Sequence, residues 1–143
     1  MHSESDPDVQ NRRTVLVPHE QPMTEIRRQS NGESLTSTCD LSALLGLGAL
    51  QVDAHVLLPG RRAFPRHRHT QKEEMFYVME GVLSLRLGDE WHEVEAGQLA
   101  ALSPGPLHHS AENRSSAPAR FLSISAAAPE DVVQYHPEEG VSE

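Results

Sequence analysis

Cysteine is almost absent from this chain of 143 residues, which carries Cys39 alone. A disulfide within the chain needs two cysteines, and cysteine-based zinc fingers or iron–sulfur sites need several, so these are excluded. The longest weakly polar run, from Leu41 to Leu50, is far short of the roughly 20 residues that cross a bilayer. Residues 1–8 are acidic and polar, where a secretory signal would be basic and then apolar. We therefore expect a cytoplasmic protein with no membrane partner.

The chain also has no excess of positive charge. The formal net charge of −9 arises almost entirely at the two ends, from three acidic residues in 1–10 and five in 129–143. The 12 basic residues of the body face the 13 acidic residues that remain of the total of 21, so no basic stripe of the kind that binds nucleic acid is expected. The acidic ends are predicted to be solvated termini.

Long amphipathic helices are missing as well, and the length fits a single domain. From about Met23 onward, short alternating runs are separated by turn residues, which is the pattern of β structure. Many short antiparallel strands without crossover helices predict an all-β sandwich or small barrel. We divide the chain into an N-terminal arm (1–22), a barrel (23–128) and an acidic C-terminal tail (129–143).

The run that follows Gly48 shows the alternation most clearly. Leu50, Val52 and every second residue up to Leu58 are apolar, while Asp53 and His55 lie on the opposite, polar face. This pattern predicts a half-buried strand whose polar face, including His55, is at the surface.

Histidines cluster in the middle of the chain. His67 and His69 are two residues apart, and alternate residues of an extended chain point to the same side, so both imidazoles can reach one point. By the same alternation Arg66 and Arg68 point away and are predicted to lie on a solvated outer face. Two acidic residues follow at 73 and 74, and two histidines at 108 and 109. Imidazoles with one carboxylate and no thiolate suit one divalent transition metal ion: iron, manganese, nickel, copper or zinc.

The segment from Gly60 to Gly81 resembles the first motif of the cupin superfamily. That motif has a glycine, His-x-His, three or four residues, a glutamate, six residues and a glycine. Glu74 has the six-residue gap to Gly81, whereas Glu73 is one position off and would face the other side of its strand. The resemblance therefore selects Glu74.

The second motif is matched less closely, between Gly97 and Asn113. Ser103 stands where proline is usual, and the motif's histidine can be counted in two ways. Counting forward from the turn glycine selects His108, whereas counting back from Asn113 selects His109. We favour His108, because the Gly-x-x-His turn places the ligand directly.

The resemblance spans residues 48–126 and implies a double-stranded β-helix, the jelly-roll barrel of antiparallel strands. It also implies a metal ion held by four residues, with two further positions open to water, substrate or dioxygen. The residues so assigned are His67, His69, Glu74 and His108.

These implications predict a metal-dependent enzyme acting on a small organic substrate that chelates the metal, and a dioxygenase-type oxidoreductase is the first choice. The alternatives are a zinc-type Lewis-acid isomerase, cyclase or lyase, and a cupin that binds small molecules without catalysis. A sugar-modifying enzyme is disfavoured, because the basic residues near the motif point away from the cavity. Met75, Tyr77 and Met79 alternate outward and are a candidate surface for a homodimer.

Overall fold

A computed structural model describes residues 12–140 and contains two antiparallel sheets. The first sheet has the order β1-β2-β3-β10-β5-β8, and the second has the order β11-β4-β9-β6-β7. The predicted all-β jelly-roll barrel of antiparallel strands is confirmed. The strands are β1 (Thr24–Arg27), β2 (Ser34–Asp40), β3 (Leu50–Leu57), β4 (His67–His69), β5 (Glu74–Glu80), β6 (Val82–Leu87), β7 (Glu90–Glu95), β8 (Leu99–Leu102), β9 (His109–Glu112), β10 (Ala119–Ala126) and β11 (Val133–Tyr135).

Helical structure is confined to short pieces among residues 12–140. One α-helix, α1 (Leu41–Leu45), starts at Asp40, whose carboxylate accepts a hydrogen bond from the N–H of Ala43. Two 3-10 turns cover Pro18–Glu20 and Pro137–Glu139. None of these pieces has the length and apolar character needed to cross a membrane.

The apolar core lies between the two sheets and is formed by alternate residues of their strands. At the β5–β6 turn, Gly81 has φ +78°, and a Cβ there would lie 2.5 Å from the carbonyl oxygen of Pro118. The last glycine of the first motif therefore permits both the turn and a close backbone approach. The core residues are Leu57, Ala63, Phe76, Val78, Leu83, Leu85, Val94, Leu102, Ala111, Ala119 and Phe121.

Strand β3 forms as predicted, but its polar face is not at the surface. Leu50 is 48% exposed and Leu58 is 39% exposed, although Ala54 between them is fully buried, while Asp53 and His55 line a cavity. The prediction of a surface position for His55 is wrong, because its ring stacks on Phe121 with centroids 4.6 Å apart. Alternation identifies two faces of a strand but does not say which one faces a polar cavity.

The acidic C-terminal segment, residues 129–140, is packed against the barrel, which differs from the solvated terminus predicted from its charge. Strand β11 pairs with β4. The Glu139 side chain is only 7% exposed and accepts hydrogen bonds from Arg62 Nη1 at 2.6 Å, from Arg28 Nη1 at 3.1 Å and from the backbone N–H of Arg66 at 2.8 Å. Charge counting cannot foresee arginine partners that lie 73 or more residues away in sequence.

Arg66 also departs from its predicted outer position. It is 7% exposed, and its Nη2 donates a hydrogen bond to the carbonyl oxygen of Gly88 at 2.8 Å. Met75 and Met79, by contrast, are 38% and 40% exposed on the outside of the first sheet. The homodimer expected from that face stays a prediction.

Candidate metal centre

Four side chains from three strands converge at one end of the barrel. Strand β4 contributes His67 and His69, β5 contributes Glu74 as its first residue, and β9 contributes His109. One nitrogen or oxygen atom from each of the four lies within 4.8 Å of the others. The Nε2 atoms of His67 and His69 are 3.2 Å apart, and His69 Nε2 is 2.9 Å from Glu74 Oε1. We call these four residues the four-residue cluster.

His108, the predicted fourth ligand, lies outside the four-residue cluster, and the prediction is corrected to His109. His109 is the first residue of β9 and pairs with His67 of β4, so its ring faces the barrel interior at 4.5 Å from the His67 ring. His108 precedes the strand, and its ring lies 4.9 Å from the ring of His136. The count back from Asn113 therefore selects the histidine that lies in the four-residue cluster.

Hydrogen bonds fix which nitrogen of two histidines carries the proton. His67 Nδ1 lies 2.7 Å from the carbonyl oxygen of Pro65, and His69 Nδ1 lies 2.8 Å from the carboxylate of Asp131. Both partners can only accept, so each Nδ1 is a donor, and the lone pair of His67 Nε2 points into the cluster. His69 Nε2 faces the Glu74 carboxylate, to which it donates when its ring is protonated.

The cluster fits a cation, and the clearest sign is an orphaned atom. His109 Nε2 is buried without a hydrogen-bond partner, 3.9 Å from Glu74 Oε1. An unsatisfied buried polar atom costs about 1–3 kcal/mol, and a metal ion at this point would coordinate it together with the other donors. The donor set accepts iron, manganese, nickel, copper or zinc.

The ionisation states of His67, His109 and Glu74 also suit a metal site. Burial lowers the pKa of His67, and burial together with the charge of His67 lowers the pKa of His109 to about 3. Burial alone would raise the pKa of Glu74, but the hydrogen bond and charge of His69 outweigh it and leave it lowered. The hydrogen bond to Glu74 raises the pKa of His69, so any proton on this ring must leave when a metal binds. Neutral imidazoles and an ionised carboxylate are the forms that bind metals.

Asp131, from the C-terminal segment, orients His69 and was missed by the sequence analysis. Its Oδ2 faces His69 Nδ1, and its Oδ1 accepts hydrogen bonds from the backbone N–H groups of Gln71 at 2.9 Å and Lys72 at 3.0 Å. Although burial opposes it, these hydrogen bonds lower the pKa of Asp131 to about 2. No motif marks this residue, because it lies 62 positions from its partner.

Replacing Asp131 with asparagine should weaken zinc binding by roughly 10–100-fold, as is usual when the partner of a metal-bound histidine is lost. The amide is uncharged and holds the imidazole less firmly. A competition titration with a chromophoric chelator measures the dissociation constant. The matched control is Glu130→Gln, which removes a neighbouring charge that has no contact with the cluster. An Asp131→Asn chain with the affinity of that control would contradict the assignment.

A cavity of about 450 Å³ is lined in part by aromatic residues that contact the cluster. The ring of Phe64, on the cavity wall, lies 4.9 Å from that of His67 and 5.7 Å from that of His109, and the Tyr135 ring lies 5.9 Å from that of His67. The cavity is therefore connected to the cluster through these two aromatic rings, and none of the four cluster residues lines it. The lining residues are Ile26, Arg27, Arg28, Gln29, Leu35, Thr36, Thr38, Asp53, His55, Ala63, Phe64, Pro65 and Tyr135.

Asp53 and His55 bring titratable groups to this cavity. Gln51 Nε2 donates a hydrogen bond to Asp53 Oδ1 at 3.0 Å, and burial raises the pKa of Asp53. The two ring nitrogens of His55 lie 3.2 Å from Thr36 Oγ1 and 2.8 Å from Ser123 Oγ, so both are already paired. Of these two residues, Asp53 is therefore the one available to a substrate.

The buried His55 gives the fold a measurable sensitivity to acid. Burial lowers the pKa of His55 to about 4, whereas an unfolded histidine titrates near 6.5, so between these pH values only the unfolded chain binds the proton. Folding stability should therefore fall as the pH drops from about 6.5 to 4, by up to about 3 kcal/mol from this residue.

Urea unfolding at a series of pH values, with chelator present, measures this loss. In His55→Gln the proton-binding group is gone, so the stability difference between the two chains should shrink by that amount on acidification. His19, whose pKa burial also lowers, is present in both chains. Parallel stability curves from pH 7 to pH 4 would contradict the assignment.

Comparison with known proteins gives one family and a set of similar structures. The family model described as "Cupin domain" matches residues 54–125, while a search of curated proteins found no match. A sugar phosphate isomerase from a cupin superfamily, from Silicibacter pomeroyi, is 31% identical, with a TM-score of 0.67 over 71% of this chain and 65% of that chain. This chain thus spans just under two thirds of that protein's length.

Two further structures have lower identity and show the fold alone. A protein from Acidithiobacillus ferrooxidans is 20% identical with a TM-score of 0.78, over 92% of this chain and 85% of that chain. The polyketide cyclase RemF from Streptomyces resistomycificus is 22% identical with a TM-score of 0.69, over 90% of this chain and 87% of that chain.

Proposed function

The chain belongs to the cupin superfamily, and from this premise we propose that it is a metal-dependent enzyme that isomerises a small hydroxycarbonyl substrate by proton transfer. The observation that carries the proposal is Asp53, a carboxylate on the cavity wall that is not one of the metal donors. The proposal places a substrate with a carbonyl and a hydroxyl on neighbouring carbons between the cluster and this carboxylate.

His67, His69, Glu74 and His109 are the residues that hold the metal in this proposal. A divalent metal bound there supplies a Lewis acid that polarises the carbonyl group and makes the neighbouring C–H more acidic. Asp53 takes that proton from the carbon that bears the hydroxyl and returns it to the carbonyl carbon. The hydroxyl proton passes to the other oxygen, so the step consumes no oxidant or reductant.

The surroundings of Asp53 suit a base. Burial raises its pKa, and a base is most effective when its pKa approaches the working pH. Its hydrogen bond from Gln51 holds the carboxylate in one orientation. The name of the Silicibacter pomeroyi protein, a sugar phosphate isomerase, supports this class of reaction.

Deuterium exchange tests the proposal without knowledge of the natural substrate. Zinc-, manganese- and iron-loaded protein is incubated in D₂O with dihydroxyacetone and with its phosphate ester, and the C–H signals are followed by proton NMR. We expect deuterium to enter at the carbon next to the carbonyl, with metal-free protein inactive. Loss of substrate without any exchange would contradict proton transfer.

A dioxygenase is the second candidate, and the apolar wall that Phe64 places against His67 and His109 favours it. The three histidines and one glutamate suit redox-active metals equally well. Oxygen uptake by the iron-loaded protein with diketones, catechols or flavonols distinguishes this reaction from isomerisation. A metal-loaded protein that binds such ligands and forms no product would instead favour the non-catalytic cupin.

A further inference from the structure

A second cavity, of about 280 Å³, lies where β3 begins and β10 ends. At about 30 Å³ for each water molecule, this volume corresponds to about nine waters, which is ample for a carboxylate or phosphate group. The lining residues are Gly48, Ala49, Leu50, Gln51, Lys72, Ser125, Ala126, Ala127, Ala128 and Asp131.

Lys72 brings a positive charge to this cavity. It is the only lysine of the chain and is one of the residues that line the cavity. Its backbone is fixed by the hydrogen bond to Asp131, and its charge acts on Glu74, His67 and Asp53. The ammonium group makes no ion pair or hydrogen bond with any of residues 12–140. Its positive charge is therefore available to an anionic ligand.

Ser125 adds a hydrogen-bond donor to the same cavity. The residue is 6% exposed and pairs with Glu74 across the β5–β10 ladder. Its hydroxyl has no hydrogen-bond partner within residues 12–140. Because Ser125 lines the cavity, this hydroxyl can donate a hydrogen bond to an oxygen of a ligand there.

The other polar groups of this cavity are already occupied. Gln51 donates its Nε2 hydrogens to Asp40 and Asp53. The two oxygens of Asp131 face His69 and the backbone N–H groups of Gln71 and Lys72. Lys72 and Ser125 are therefore the groups that can recognise a ligand.

We propose that this cavity binds the acid group, a carboxylate or a phosphate monoester, of the substrate whose carbonyl and hydroxyl oxygens face the four-residue cluster. The proposal rests on the function proposed above and adds that the substrate is an organic acid or phosphate ester. The Lys72 ammonium pairs with the anion, and the Ser125 hydroxyl donates to one of its oxygens.

The single lysine makes the test direct. Reductive methylation with ¹³C-formaldehyde labels the Lys72 side chain and the N-terminal amine, and the two dimethylamine signals are resolved by NMR. Zinc-loaded protein is titrated with glycerol 3-phosphate, with glycerate and with glycerol. We expect the lysine signal to move and saturate with at least one of the two acids, and to stay in place with neutral glycerol.

Calorimetry on unlabelled protein completes the test. Lys72→Gln should bind the recognised acid at least 10-fold more weakly, Ser125→Ala several-fold more weakly, and Lys72→Arg, which keeps the charge, within several-fold of the natural chain. Arg120→Gln removes an equal charge from a pair with Glu80 and should bind as the natural chain does. All variants are checked for an unchanged zinc content.

Each outcome bears on the proposal. Preference for glycerol 3-phosphate identifies a phosphate ester as the substrate class, and preference for glycerate identifies a carboxylic acid. Equal affinity in Lys72→Gln and Arg120→Gln, or no lysine shift with either acid, overturns the site. Because binding is measured without turnover, acid binding at Lys72 in a protein that exchanges no deuterium would overturn the proposed isomerisation and leave the acid site standing.

Discussion

A His109→Ala chain is expected to lose zinc affinity by more than about 100-fold, while His108→Ala stays within about twofold of the natural chain, since a lost metal donor costs more than the loss of an outer partner. The orphaned Nε2 of His109 is the reason for the contrast. With alanine at 109, three donors remain and the ion loses one coordinate bond. His108 contributes no donor atom to the four-residue cluster.

Two measurements check this contrast. A chelator competition gives the dissociation constants, and thermal unfolding gives the stabilisation by bound metal. Zinc at 100 times its dissociation constant stabilises a folded chain by about 2.7 kcal/mol, and each kcal/mol raises Tm by roughly 2–4 °C for a chain of this size. That rise should vanish in His109→Ala and persist in His108→Ala.

A second substitution at 109 keeps the test valid if the alanine chain folds poorly. His109→Gln fills more of the space left by the buried ring, and its amide is a weaker metal ligand than imidazole. Circular dichroism of the metal-free proteins shows whether each variant is folded. Full zinc stoichiometry and affinity in a folded His109→Gln chain would remove His109 from the site.

Three of the four residues of the cluster could be predicted from the sequence alone. His67, His69 and Glu74 come together as predicted because alternation and fixed spacing are local properties of one extended segment. The choice between His108 and His109, by contrast, depended on the exact residue at which a turn ends and strand β9 begins. Two adjacent histidines point to opposite sides of a strand, so a displacement of one residue exchanges the ligand for a neighbour.

Long-range contacts were beyond the sequence analysis. Asp131 and Glu139 were predicted to be two solvated charges of an acidic C-terminal tail. Asp131 instead orients His69, and Glu139 is buried beside arginine side chains. The partners of Glu139 are themselves 73 to 111 residues away. Pairing at such distances is decided by how β11 joins the sheet, and a single sequence carries no local signal for it.

The prediction that the polar face of β3 lies at the surface failed for a different reason. Polar residues on one side of a strand usually indicate solvent, but a barrel that encloses a ligand cavity can place them inside. Asp53 was read as a surface residue by this rule. Its position on the cavity wall is the observation on which the proposed proton transfer depends.

Replacing Asp53 with asparagine should lower the rate of deuterium exchange by about 10²–10⁴-fold, the usual contribution of a general base. The amide has nearly the same shape and can still accept the hydrogen bond from Gln51, but it cannot take up the proton. Zinc affinity should be unchanged, because Asp53 is not among the four donors. The expected loss therefore lies in kcat, with little change in KM, and is measured by proton NMR in D₂O on metal-loaded protein.

The matched control is Asp40→Asn. Asp40 accepts a hydrogen bond from the same Gln51 side chain and pairs with Asp53 across the β2–β3 ladder, but it is exposed and starts α1. Asparagine preserves that helix cap, so this variant alters the Gln51 network and the local charge without touching the cavity base. If Asp53→Asn exchanges deuterium as fast as Asp40→Asn, the proton must be moved by another group, and Asp53 has no place in the chemistry.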